Sequence, residues 1–132
     1  MQEWANWSGS VVTRPARRVT CASEDELTAL LTETQDTVRM LGSGHSFTSI
    51  AAVDGGTQVS LSGFDDVSQA GRLKARIGAG GRLGDVTEKL HGLGLAFSNM
   101  GDIDDQVLAG ALATATHGSG LGFGCYASML SE

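Results

Sequence analysis

Two periodicities organise the apolar positions of this chain. Leu27, Leu30 and Leu31 recur at helical spacing, the stripe of a helix that buries one face. Ser23 and Glu26 precede that stripe as Ser-x-x-Glu, the reciprocal side-chain and backbone pairing that starts helices. The pattern predicts a helix from Ser23 to about Thr34. Leu83, Val86 and Leu90 form a second stripe and predict a helix over Leu83–His91, closed by Gly92 and Gly94. Thr37–Leu41 reads as a buried strand ending at Gly42, and Thr57–Leu61 as a strand with Val59 and Leu61 on one face. Leu73, Ala75 and Ile77 alternate against Lys74 and Arg76, predicting a strand over Leu73–Ile77. Residues 10–20 predict short strand pieces around Pro15, and Leu95–Phe97 a further short strand. An acidic loop, Asp102–Asp105, leads into a short apolar segment, Val107–Ala115. This mixed order predicts an α+β fold, a small mixed sheet with flanking helices. No repeat or linker subdivides residues 1–132.

Composition narrows the class. With 41% hydrophobic and 18% charged residues among 132, the chain is not a disordered one. Nineteen glycines against one proline, without a collagen period, point to backbone placed for tight turns or close ligand approach. The net charge is -6, from nine basic and fifteen acidic residues. That balance excludes a nucleic-acid partner held by phosphate neutralisation. The densest basic cluster, Arg14, Arg17 and Arg18, reads as a solvated strand edge. Cys21 and Cys125 are too few for a disulfide framework and lack zinc spacing, so packing roles are expected. His45, His91 and His117 include no i,i+4 pair, and no metal site is expected.

The stretch 106–131 carries no Asp, Glu, Lys or Arg and is long enough to cross a bilayer. His117 and the alternating glycines at 118, 120, 122 and 124 make it a poor helix, and unpaired backbone is not tolerated in lipid. A buried, ligand-lining segment explains the missing charges better. Met1–Ser10 contains no apolar leader core. The expected location is cytoplasmic.

Candidate chemistry falls on two segments. The chain has no G-x-G-x-x-G, Walker A, G-x-S-x-G or H-E-x-x-H motif. The first segment, Leu41-Gly42-Ser43-Gly44-His45-Ser46-Phe47, directly follows an expected strand. Its glycines let successive amides converge on an anion without any basic side chain. A tight turn with a surface histidine is the equally weighted alternative. The second, Ala109 to Gly120, is built of small residues with Thr114, Thr116, His117 and Ser119 among them. It permits close approach of a flat ligand; a close-packed helix followed by a loop is the plainer alternative.

Together with Asn6-Trp7-Ser8-Gly9, Leu61-Ser62-Gly63 and Asn99-Met100-Gly101-Asp102-Ile103-Asp104, these segments resemble the vanillyl-alcohol oxidase family. This is the family with a PCMH-type FAD-binding domain. The similarity is to its sugar-lactone and alditol oxidase branch and covers nearly the whole chain. The resemblance implies FAD, with its pyrophosphate against Gly42 to Ser46 and Asp102 to His117 along its other side. It implies cofactor contacts at Leu41, Gly42, Ser43, Gly44, His45, Ser46, Asp102, Gly110, Ala111, Thr114, His117, Gly118 and Ser119. It also implies His45 as the candidate for a covalent bond to the flavin 8-methyl carbon, and His117 as a contact without such a bond. Some relatives carry serine at the position of Asp102. A carboxylate cannot donate to phosphate, which leaves the Asp102 backbone N–H as the candidate contact.

The implied chemistry is hydride transfer from a C–H of a sugar alcohol or aldonolactone to the flavin, with oxygen or another electron acceptor reoxidising it. The branch runs to several hundred residues. Residues 1–132 are therefore expected to be the N-terminal portion of the FAD-binding domain. The second half of that domain, the substrate domain and the groups that activate the sugar hydroxyl are expected elsewhere. No catalytic residue is expected here, and this chain alone is expected to be inactive. The competing expectation is a non-catalytic flavin-binding module that needs another chain.

Overall fold

The computed structural model describes residues 3–131. The chain divides between Phe64 and Asp65 into two compact units.

The first unit opens with a two-stranded antiparallel pair, β1 (Trp4–Ala5) and β2 (Val12–Thr13). A parallel sheet follows, built from β3 (Arg17–Thr20), β4 (Val38–Leu41) and β5 (Thr57–Ser60) in the order β3-β5-β4. Helix α1 (Glu24–Glu33) makes the crossover that parallel strands require. The Ser23 hydroxyl accepts from the Glu26 amide at 3.2 Å while the Glu26 carboxylate accepts from the Ala22 amide at 2.9 Å. The cap is thus a two-way arrangement, with Glu26 reaching one residue further back than the expected box. Central β5 is closed on both faces: Thr57, Gln58 and Val59 are all buried. Val59 packs with Cys21 and Leu30, and Val19, Leu27, Val38 and Phe64 complete that core. Gln58 is tied by its side-chain amide to the Ala51 carbonyl at 2.7 Å, and the Thr57 hydroxyl to Asp36 at 3.1 Å.

The second unit begins with the antiparallel hairpin of β6 (Val67–Gly71) and β7 (Lys74–Ile77). Helix α2 (Leu83–Gly92) follows, then the short α3 (Leu108–Ala113) and a 3-10 turn at Tyr126–Met129. Leu83, Leu108, Ala111 and Tyr126 form its buried core, with Ile77, Phe97, Met100, Leu112 and Met129 packed around them. The Phe97 and Tyr126 rings meet edge to face at 5.3 Å. Among the described residues no helix is long and apolar enough to cross a membrane.

The α+β class stands, with the strands distributed over three small sheets. Two local expectations change. Leu95–Phe97 is not a strand: Gly94, at φ +71°, and Leu95 turn the chain back onto the Leu90 and His91 carbonyls, after which Phe97 is held by ring packing. Leu73 lies in the hairpin turn, 72% exposed, so only Ala75 and Ile77 of that alternation face inward. Strand β6 was invisible to the pattern because Ser68, Gln69 and Gly71 dilute it; its partner strand supplies the order. The short strand pieces expected in residues 10–20 are present around buried Pro15 as β2 and β3, which belong to different sheets.

Candidate functional site

The segment after β4 is held by the amino-terminal hairpin. Asn6 is 4% exposed and forms the keystone. Its side-chain carbonyl accepts from the Val11 amide at 3.0 Å, and its side-chain amide donates to the Ser46 carbonyl at 3.0 Å and to the Ser10 hydroxyl at 3.1 Å. The Trp7 backbone amide donates to the Gly44 carbonyl at 3.0 Å, and the Trp7 indole N–H to the His45 carbonyl at 3.0 Å. Three successive carbonyls, of Gly44, His45 and Ser46, therefore face the Asn6–Trp7 pair.

A trans peptide sets its N–H opposite its C=O. With no cis bonds among the described residues, peptide planarity turns the amides of His45, Ser46 and Phe47 away from the groups that hold these carbonyls. Successive amides on one edge are what an anion nest requires; the set reaches Phe47, one residue past the expected Gly42 to Ser46. Gly44 takes φ +72°, a conformation that favours glycine, and a side chain there would also meet the Trp4 ring at 3.1 Å. Leu41 ends β4, and Gly42 and Ser43 carry the chain to this turn. The His45 imidazole stacks on the Trp7 indole at 5.7 Å and 13°, and Phe47 meets the same indole edge-on at 5.4 Å.

The second group of candidates lies in the other unit. Helix α3 ends in a Schellman closure: the Ala115 amide donates to the Leu112 carbonyl at 3.4 Å and the Thr116 amide to the Ala111 carbonyl at 3.0 Å. Glycine usually occupies the left-handed position of that motif. Here it is Ala115, at φ 52°, a strained conformation costing about 1–2 kcal/mol. Such outliers concentrate at functional sites. The Tyr126 amide anchors the Thr116 carbonyl at 2.9 Å. Burial pushes the Tyr126 phenol above its ordinary pKa, with the Gly101 backbone opposing the shift.

The individual candidates differ in what they offer. Ala111 is fully buried in the core, so its side chain supports the segment from within. Gly110 accepts the Thr114 hydroxyl at 2.8 Å, and Thr114 and Thr116 share a hydroxyl contact at 3.2 Å. His117 is exposed, its Nδ1 2.9 Å from the Gly118 carbonyl. Gly118 is pressed against the backbone of Met100 and the side chain of Asn99. Asn99 was not among the expected contacts. Its side-chain nitrogen is buried and has no hydrogen-bond partner among the described residues. Only a structure reveals that orphan, since asparagine in a polar loop gives no sequence signal. Asp102 and Ser119 are exposed. Gly101 brings the Asp102 loop alongside Thr116 and His117, with 3.3 Å to the Thr116 methyl from an added Cβ. Each cluster is thus locally assembled: Leu41 to Ser46 in the first unit, Asp102 and Gly110 to Ser119 in the second.

The family model described as FAD binding domain matches residues 15–130. The chain is 38% identical over 126 residues to the L-gulono-1,4-lactone dehydrogenase of Mycobacterium tuberculosis, covering 91% of this chain and 29% of that protein. It is 34% identical over 125 residues to the D-arabinono-1,4-lactone oxidase of Yarrowia lipolytica, covering 86% and 23%. It is 31% identical over 133 residues to the alditol oxidase of a Streptomyces species, covering 96% and 31%. The chain therefore spans less than a third of the length of these relatives. Among solved structures, cholesterol oxidase from B. sterolicum superposes with a TM-score of 0.71 at 20% identity, over 89% of this chain and 24% of that one. That likeness concerns the fold.

Proposed function

The chain belongs to the FAD binding domain family, and from that premise we propose that it is the FAD-binding portion of an oxidoreductase acting on CH–OH groups of sugar lactones or alditols. The observation that carries the reading is the loop of His45, Ser46 and Phe47. The carbonyls of Gly44, His45 and Ser46 are committed to Asn6 and Trp7, and peptide planarity turns the amides of His45, Ser46 and Phe47 the other way. Oriented amides bind a pyrophosphate without a cation, which suits a loop with no Lys or Arg in a chain of net charge -6. The unpartnered Asn99 nitrogen and the strained Ala115 turn support a second contact surface at Asp102, Gly110, Thr114, His117, Gly118 and Ser119. The residues present therefore fit FAD.

In this reading His45, Ser46 and Phe47 hold phosphate oxygens through their amides, and the His45 ring is the candidate covalent anchor. His117 offers a ring nitrogen for a hydrogen bond and Asp102 a backbone N–H. Bound FAD supplies a two-electron acceptor for the substrate hydride, and the protein supplies binding and orientation. Oxygen or another acceptor takes the electrons onward. The free thiols Cys21 and Cys125 suit a reducing cytoplasmic setting.

The test is direct. Protein mixed with FAD and desalted should retain the flavin absorption bands, and, in a chain of the relatives' length that carries this segment, a sugar lactone or alditol added without oxygen should bleach them. A colourless protein after desalting overturns the reading. A yellow protein that no such substrate bleaches favours the second reading, a flavin-binding module that completes its site with another chain. Acid precipitation then decides the linkage: flavin that stays with the His45 peptide is covalent.

A further inference from the structure

We infer that Trp7 is a positioning residue for His45, holding the imidazole plane by stacking and the His45 backbone by its indole N–H. The inference rests on the flavin reading above. Trp7 is 56% exposed, so burial is not what secures it. Its contacts converge on one target instead. Its backbone amide takes the Gly44 carbonyl, its indole N–H takes the His45 carbonyl at 3.0 Å, and its face takes the His45 ring at 5.7 Å and 13°.

Among the described residues no hydrogen bond engages the His45 ring nitrogens. The ring plane is therefore set by the indole, while both nitrogens stay free for another molecule. The Trp7 backbone is itself braced, because the preceding residue is the buried Asn6 with its three side-chain bonds. Ring and loop amides are thus oriented from one residue. Preorganising a contact removes the ordering cost that binding would otherwise meet.

Phenylalanine keeps a ring and the backbone bond and loses only the indole N–H, whereas leucine loses the ring as well. The test compares Trp7→Phe, Trp7→Leu and His45→Asn with wild type in three measurements. These are the thermal midpoint, the ring-proton resonances of the histidines without flavin, and the flavin retained after desalting. Trp7→Leu should shift the His45 resonances downfield by removing the indole ring current, with His91 and His117 unmoved; Trp7→Phe should shift them less. Both should retain flavin less well at a similar midpoint, Trp7→Phe by about fivefold, the value of one net hydrogen bond.

Wild-type flavin retention in both variants overturns the inference, as do His45 resonances that ignore Trp7→Leu. If Trp7→Leu does not fold, Trp7→Phe alone decides on flavin retention. A wild-type protein that retains no FAD overturns the flavin reading and this inference with it. The resonances of the flavin-free protein then still report whether Trp7 and His45 are paired, so the two failures are told apart.

Discussion

Gly118→Ala separates two explanations for the glycine-rich stretch that follows α3. A Cβ on Gly118 would overlap the Met100 carbonyl oxygen and stand 2.8 and 2.9 Å from the oxygen and nitrogen of the Asn99 side-chain amide. The Met100 obstacle is backbone and cannot rotate aside. Overpacking of this kind costs about 1–3 kcal/mol, and an immovable partner puts it near the upper end. Alanine returns about 0.4–1 kcal/mol by restricting the unfolded chain. The expected net loss is about 2 kcal/mol, a drop of about 8 °C in midpoint for a chain of this size. Gly122→Ala is the control, since a Cβ there meets nothing within 4 Å; it should be neutral or slightly stabilising. Urea unfolding followed by circular dichroism without flavin provides the assay. If Gly118 is glycine only so that a cofactor can approach, the flavin-free midpoint will not move and FAD retention alone will fall. A Gly118→Ala midpoint equal to that of Gly122→Ala would refute the packing argument.

Three further outcomes are expected. Asn6→Ala removes the bonds to Val11, Ser10 and Ser46 and should destabilise by about 2–3 kcal/mol, read by urea unfolding, with lower flavin retention. Ser23→Ala removes the cap on α1 and should cost about 1 kcal/mol with flavin retention unchanged. The Asp54 carboxyl is held below its ordinary range by the Arg14 amide first and the Thr13 hydroxyl second. A depressed carboxylate contributes stability that is complete above its unfolded pKa and is lost as pH falls through the folded one. Acid unfolding of Asp54→Asn should show a shallower pH dependence over that window than wild type, with no difference near neutrality beyond a constant offset.

The elements that could be read from the chain are those whose burial is one-sided. Leu83, Val86 and Leu90 form a stripe in the sequence and are the three buried residues of α2. In α1 Leu30 is buried and Leu27 partly so, while Leu31 stays half exposed. Central β5 has no such stripe, because both of its faces are covered and polar Thr57 and Gln58 are buried there, the Thr57 hydroxyl bonded to Asp36 and the Gln58 side-chain amide N–H to the Ala51 carbonyl. Its strand character was legible from Val59 and Leu61, but its place between β3 and β4 was not, since pairing order is a long-range property. The hairpin of two-residue strands at Trp4 and Val12 offers too few positions for any period to appear.

The candidate site was legible in part for a related reason. Glycines at 42 and 44 announce a loop with unusual backbone freedom, but they do not say which edge of the peptides faces outward. That is decided by Asn6 and Trp7, 38 to 40 residues distant from their main targets, and they decide it by binding carbonyls. Once three carbonyls are bound on one side, planarity leaves the amides on the other. The chemistry of the loop is therefore specified less by its own residues than by the hairpin behind it. In the second segment the glycines have a different cause: a Cβ on Gly118 would run into Met100 and Asn99, and one on Gly120 would stand 2.7 Å from the Phe123 ring and 3.3 Å from Asn99. There the small residues close the protein on itself, and what packing leaves unexplained is Ala115 at φ 52° and the buried, unpartnered nitrogen of Asn99. Equal richness in glycine thus has two physical origins in one chain, a turned peptide edge at Gly44 and close internal packing at Gly118.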